Sequence, residues 1–227
     1  MSTPLRLVIF DVDGTLVDSQ SDIVAAMTVA YDAVGADVPP RAEILGVVGL
    51  SLDVIFPLLM PDMSPQGHEK MCEAYKNAYM EMRARAGVQH SSPLYPGALE
   101  VLNRLQMMPD VLLGVATGKS KRGLDKLIEG HGLEGVFVTQ QVADFHPSKP
   151  HPSMILQAMA DVGAEARDTV MIGDTSFDME MAAAAGVRGV GVNWGYHGRD
   201  RLSAASVLID DFAGLPAVLD EMWKVSA

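Results

Sequence analysis

The sequence predicts an α/β fold: a doubly wound parallel sheet with an inserted all-helical segment. Three observations lead there. Short, β-branched apolar runs recur along the 227-residue chain. Stretches with helical periodicity fill most of the gaps between them, as parallel crossovers require. One long stretch after the first run, residues 19–92, contains no strand-like run at all.

The first strand is read over Leu5–Phe10 (LRLVIF), bounded by Pro4 and Asp11; it is apolar on both faces, as a buried parallel strand should be. Further strands are expected at Val111–Ala116, Val136–Val138, Thr169–Ile172, Val187–Val192 and Val207–Ile209. The spacing predicts helices over Gly97–Gln106, Ser120–Gly130, Pro152–Val162, Ser176–Ala185 and Leu215–Trp223. Within the insertion, Ile23, Met27, Ala30, Tyr31 and Val34 share one helical face. Ala42–Val48, Leu52–Leu59 and Glu69–Ala86 read as further helices, separated by Gly49, by Pro61–Pro65 and by a stop at Gly87. Turn-rich edges at Asp13-Gly14 and Ser91-Ser92-Pro93 divide the chain into a sheet unit, residues 1–14 and 93–227, and a helical unit, residues 15–92.

Composition narrows the function. Apolar residues make up 48% and charged residues 20%, which excludes a disordered or coiled-coil chain as the dominant state. Lys and Arg number 17 against 29 Asp and Glu, a net charge of −12 that repels nucleic acid and anionic membranes. No apolar run approaches the ~18 residues of a membrane span, and the first residues show no signal-peptide pattern. The single cysteine, Cys72, allows no intrachain disulfide and suits a reducing, cytoplasmic compartment. The fifteen methionines are read as adaptable packing.

The residues able to do chemistry sit at strand ends, where parallel sheets bind ligands. The first strand runs into DVDGTLVDS, Asp11–Ser19. Asp11 and Asp13 stand two apart, close enough to repel unless a cation joins them; hard oxygen ligands beside a phosphate suit Mg²⁺. The plainer reading is a strand followed by an Asp-Gly turn. A calcium loop fails on spacing, because Leu16 occupies its glycine position and Asp22 its glutamate position. The second strand leads into Thr117-Gly118-Lys119, a hydroxyl and free backbone N–H groups for an anion. A Walker loop is excluded, since Leu113 stands where its first glycine belongs. Lys149, in SKPHP, can hold a phosphoryl oxygen, or can be an ordinary surface lysine. His146 and His151 are read as surface histidines without a third metal partner. A later strand delivers Asp174, with Asp178 one helical turn on; Asp178 could also be simply a favourable charge at a helix N-terminus.

In chain order, DVDGT, Thr117, Lys149 and GDTSFD together resemble the four motifs of the haloacid dehalogenase superfamily of phosphohydrolases, over nearly the whole chain. LVDS, SKPHP and GVNWGYH look most like its phosphoglycolate phosphatase branch. The resemblance implies a Rossmann-like core with a mobile helical cap at residues 15–92. It implies Asp11 as nucleophile, Asp13 as acid and base, and Mg²⁺ held by Asp11, Asp174 and the Asp13 carbonyl. Thr117, Gly118 and Lys149 would grip the phosphoryl group, with Asp178 and Thr15 supporting them. Gly49, Leu50 and Ser51, in VGLSL, would approach the substrate from the cap. That cap carries five Lys or Arg against ten Asp or Glu, so it offers no basic lid for a polyphosphate. A small phosphorylated metabolite fits better, with 2-phosphoglycolate first and sugar phosphates or pyrophosphate open, acted on by a monomer or homodimer. A phosphomutase of the β-phosphoglucomutase type would use the same groups. A receiver-type signalling domain also sets Asp, Thr and Lys on such a sheet, but needs no cap and about half this length.

Overall fold

The computed structural model describes residues 4–225. Met1–Thr3, which begin the segment read as lacking a signal peptide, lie outside the described residues. The strands are β1 (Arg6–Phe10), β2 (Val111–Thr117), β3 (Thr139–Val142), β4 (Thr169–Gly173), β5 (Arg188–Val192) and β6 (Val207–Ile209). They form one sheet in the order β3-β2-β1-β4-β5-β6, and every neighbouring pair is parallel. Strand order therefore reverses between β1 and β4. Such a reversal opens a crevice at the carboxyl ends of the two strands. The register brings Phe10 beside Ile172, and the Asp11 N–H extends the ladder by donating to the Ile172 carbonyl at 2.9 Å.

Alternate residues of β1 face opposite layers, as strand geometry demands. Val8 and Phe10 share a core with Val101, Leu102, Leu124 and Leu219. These come from α6 (Ala98–Gln106), α7 (Lys121–His131) and α10 (Leu215–Val225), the helices numbered in chain order after five in the insertion. Leu7 and Ile9 pack on the other side with Met154, Ile155 and Met181, from α8 (Ser153–Val162) and α9 (Ser176–Ala184). Both faces of β1 are thus dry, which is why its sequence shows no polar alternation.

The third strand departs from expectation. Val136 and Phe137 join the core beside β2, Val138 is exposed, and the strand itself is Thr139–Val142. Its polar side chains evade the apolar rule because they find partners. The Thr139 hydroxyl and the Gln141 amide both donate to Asp161 Oδ2 of α8, at 2.7 Å each.

The insertion is helical throughout: α1 (Gln20–Val34), α2 (Arg41–Leu45), α3 (Leu52–Leu59), α4 (Pro65–Ala86) and the short α5 (Val88–Ser91). Gly35, in the left-handed conformation at φ 69°, ends α1. Ser64 caps α4 by accepting from the Gly67 N–H, and Pro65 occupies its first turn. α4 therefore starts four residues before the apolar spacing alone indicated, while α2 stops at Leu45 and leaves residues 46–51 as a turn. Ile23, Met27, Tyr31, Ile44, Phe56 and Met71 form a core separate from both sheet faces. Chain entry and exit lie side by side: Val17 and Leu94 form an antiparallel bridge, and the Asp18 N–H donates to the Pro93 carbonyl at 2.9 Å.

Candidate active site

The crevice between β1 and β4 collects the strand-end residues. Asp11 follows β1 and is 1% exposed; Asp174 follows β4 and is fully buried, as is Asp178 in the first turn of α9. One carboxylate oxygen from each of the three lies within 4.8 Å of the others. Lys149 reaches this cluster from the loop before α8. Its Nζ lies 2.6 Å from Asp11 Oδ1 and 2.6 Å from Asp178 Oδ1, with the lysine side chain itself wholly buried.

Each carboxylate is oriented by its surroundings. Asp178 Oδ2 accepts from the Thr175 hydroxyl at 2.7 Å and the Thr175 N–H at 3.0 Å, while Thr175 caps α9 in return. Asp174 Oδ1 accepts from the Thr15 hydroxyl at 2.9 Å, and Oδ2 from the Tyr196 N–H at 2.8 Å. Asp13 turns the other way. Its Oδ1 accepts from the Ser19 hydroxyl and pairs with Lys119 Nζ at 2.8 Å. The close carboxylate trio therefore contains Asp178 where a side-chain reading of the aspartate pair would put Asp13.

One atom has no partner. Asp11 Oδ2 is buried and makes no hydrogen bond. Burial pushes the Asp11 carboxyl up to about 7, against the pull of Lys149 and with a push from Asp178. Asp174 is raised well above the ordinary carboxylate range, by burial first and then by Asp11 and Asp178. Burial acts to lower Lys149, but Asp11 and Asp178 outweigh it and hold it above its usual value. Three ionised carboxylates and one ammonium leave two negative charges in a dry site, an arrangement that is costly unless protons or a cation arrive. A divalent cation carries the missing charge, and a hard one matches these oxygen donors. The residues present fit Mg²⁺.

Thr117 ends β2 and is buried; its Oγ1 accepts from the Lys119 N–H at 3.2 Å. Gly118 packs under the insertion. A Cβ there would sit 2.6 Å from the Gly49 carbonyl oxygen and 2.8 Å from that of Leu50, so only glycine allows this approach. Ser51 follows, and its N–H donates to Ser148 Oγ at 2.9 Å, beside Lys149. The expected residues Gly49, Leu50 and Ser51 thus lie against the sheet unit, two of them at Gly118 and one at Ser148. His146 binds Ser153 and Gln141 through its two ring nitrogens.

Two groups of residues contact the site although the sequence assigned them no task there. Lys119 pairs with Asp13, and it also lies 3.3 Å from the Tyr79 hydroxyl on α4. Burial would lower its pKa, but Asp13 leaves it raised. The loop after β5 is the other. Trp194 Nε1 donates to the Thr15 carbonyl at 3.1 Å, Tyr196 holds Asp174, and a Cβ on Gly195 would strike the Asp174 side chain. His197 Nδ1 accepts from the Ser176 N–H at 3.0 Å, so its proton sits on Nε2, 3.0 Å from the Gly46 carbonyl of the insertion. The usable signal was an aromatic and glycine-rich tract, NWGYHG, directly after a strand.

A family model for "Haloacid dehalogenase-like hydrolase" matches residues 8–192. The chain is 36% identical over 225 residues to "Probable phosphatase IndB" of Dickeya dadantii (strain 3937), covering 97% of this chain and 96% of that one. It is 30% identical over 219 residues to "Phosphoglycolate phosphatase" of Pseudomonas syringae pv. syringae (strain B728a), covering 95% and 80%. A solved hydrolase from Pseudomonas syringae superposes with a TM-score of 0.83 at 27% identity, over 95% of this chain and 98% of that one.

Proposed function

Because the chain belongs to the haloacid dehalogenase-like hydrolases, we propose that it is a Mg²⁺-dependent phosphatase that hydrolyses a small phosphate monoester, 2-phosphoglycolate first among them. The observation that carries this reading is the dry trio Asp11, Asp174 and Asp178 around Lys149, with Asp11 Oδ2 left unpartnered.

Asp11, Asp174 and the Asp13 carbonyl would hold the ion. Bound there, Mg²⁺ neutralises the carboxylates and the phosphoryl oxygens, so an anion can enter an acidic site. Asp11 is the nucleophile. Lys149 pins its Oδ1, which leaves Oδ2 to form a bond to phosphorus as the ester P–O bond breaks. Asp13 supplies a proton to the leaving alkoxide, which departs as the alcohol. Asp13 then takes a proton from water, the water oxygen bonds to phosphorus, and the aspartyl P–O bond breaks to release phosphate and restore Asp11. Ser19 and Lys119 hold Oδ1 of Asp13, which leaves Oδ2 to exchange the proton with the leaving group and water. Thr117, Gly118 and Lys149 grip the phosphoryl oxygens. Asp178 and Thr15 hold Lys149 and Asp174 in place. Residues 15–92 act as a cap that closes over the ester and excludes water, with Gly49, Leu50 and Ser51 at the contact.

The test is phosphate release from a panel of small esters, with and without a chelator. Release that leads with 2-phosphoglycolate and stops on complete Mg²⁺ removal, returning when Mg²⁺ is restored, is expected. Release unaffected by chelation overturns the metal role, and conversion of a sugar phosphate to its isomer without free phosphate overturns the hydrolase reading.

A further inference from the structure

The insertion holds a buried cation that the mechanism above does not use. Arg83, on the sheet-facing side of α4, is 8% exposed. Its Nη1 donates to the Gly123 carbonyl at 3.0 Å, at the start of α7. Its Nε and Nη2 are buried and have no hydrogen-bond partner. Those two nitrogens form one edge of the guanidinium, the parallel pair of N–H donors that matches the two oxygens of a carboxylate. A buried charged donor left unpaired is costly, and a whole unpaired edge more so. The edge is therefore shaped for an anion that arrives with a ligand.

Its neighbours point to which ligand. The Arg83 guanidinium carbon lies 5.1 Å from the centre of the Tyr79 ring, and Lys119 Nζ lies 4.9 Å from the same centre. Lys119 in turn pairs with Asp13. A chain of contacts thus runs from the Arg83 edge through Tyr79 and Lys119 to the residue assigned to the leaving group. The leaving group is the part of the ester that distinguishes one substrate from another. Tyr75 stacks on Tyr79 at 6.0 Å, so aromatic rings flank the guanidinium on this side.

We propose that Arg83 is the specificity-determining residue of the site, binding through its Nε–Nη2 edge a carboxylate on the leaving-group side of the substrate. The enzyme is then built for short phosphate esters bearing a carboxylate, and the insertion reads that group with a single arginine although its net charge is negative. This rests on the phosphatase reading above and names the feature of the substrate that reading left to chemistry.

Two esters of similar size separate the possibilities: 2-phosphoglycolate, and ethyl phosphate, which has a methyl group in place of the carboxylate. The wild-type protein should favour the former by about 10- to 100-fold in kcat/KM, the range that paired, charge-assisted hydrogen bonds supply. Arg83→Met keeps much of the apolar stem and should erase most of that preference, through a raised KM for 2-phosphoglycolate with kcat much less altered. Arg83→Lys restores the charge without the fork and should recover only part of it. Equal losses on both esters in both variants mean a structural role and overturn the inference, as does an unchanged ratio. Release from both esters without discrimination by the wild type overturns the inference alone. Release from neither overturns the phosphatase reading and the inference with it.

Discussion

The sheet rim and the helical insertion meet the same substrate space but are finished differently. At the rim, both oxygens of Asp174 and of Asp178 have partners; Tyr196, Lys149 and Thr175 belong to the sheet unit, and Thr15 stands at its junction with the insertion. The insertion touches the rim through a few polar contacts, such as Ser51 to Ser148 and Gly46 to His197, and keeps one guanidinium edge unpaired. The rim's charges are oriented before any ligand arrives, which chemistry at phosphorus requires. The insertion's free edge is satisfied by a ligand, which suits recognition. The lesson is that preorganisation and selectivity sit on opposite sides of one crevice.

The largest break in that division comes from Asp11→Asn. It removes the proposed nucleophile while keeping shape, and phosphate release should fall at least about 10⁴-fold. Turnover near wild type in a steady-state assay rules out Asp11 as the nucleophile.

Lys149→Met comes next. It strands Asp11 and Asp178 as uncompensated buried charges, and should cost roughly 3–5 kcal/mol of stability near pH 8 as well as activity. The loss should shrink near pH 5, where Asp11, pushed up to about 7 by burial, takes up a proton. A denaturant midpoint that is unchanged at both pH values removes Lys149 from the electrostatic balance of the rim.

A third, smaller effect needs no mutation. Asp11 titrates near 7 in the folded metal-free protein, raised by burial, whereas an unfolded aspartate titrates near ~3.9. The folded state therefore binds more protons across that window. The stability this contributes is present in full below about pH 4 and is lost as pH rises through about 7, at roughly 1 kcal/mol per pH unit, with Asp174 acting in the same direction. Mg²⁺ should reverse the trend and raise the melting temperature more at pH 8 than at pH 5. A chelated protein whose rim contribution grows between pH 5 and 7, isolated by comparison with an Asp11→Asn variant, contradicts the burial argument.

The gentlest test is Ser148→Ala, which removes the acceptor for the Ser51 N–H. It should cost about 0.5–1.5 kcal/mol of closure, seen as a rise in KM of up to about tenfold with kcat changed less. No change in KM shows that this contact does not hold the insertion against the rim.

Much of the rim was legible beforehand because its signals are local. Asp11 and Asp174 each follow a buried apolar run, and the end of such a run in a parallel sheet is where a ligand site forms. Thr117, Lys149 and Asp178 were read from their chemistry near other strand ends, each beside a plainer alternative, and the resemblance of their motifs gave them roles. The third strand was misplaced because Thr139 and Gln141 bury polar groups against Asp161, a partner twenty residues on, and no period-two pattern of apolar residues records that. Lys119 was legible only as a false Walker ending; its real role depends on meeting Asp13. The tract after β5 gave a motif but no task, since its three tasks, at Thr15, Asp174 and Gly46, lie in three other parts of the chain.

By itself the sequence determined the layer architecture, the location of the helical insertion and the strand ends at which carboxylates emerge, because each follows from the periodicity and punctuation of a short window. The tertiary structure decided the pairings: Lys149 with Asp11 across 138 residues, Lys119 with Asp13, and Arg83 with no hydrogen-bond partner on its buried Nε–Nη2 edge. Like charges and like donors are interchangeable in a sequence, and only packing in three dimensions, with its cost for every buried group left unpaired, assigns each one its partner.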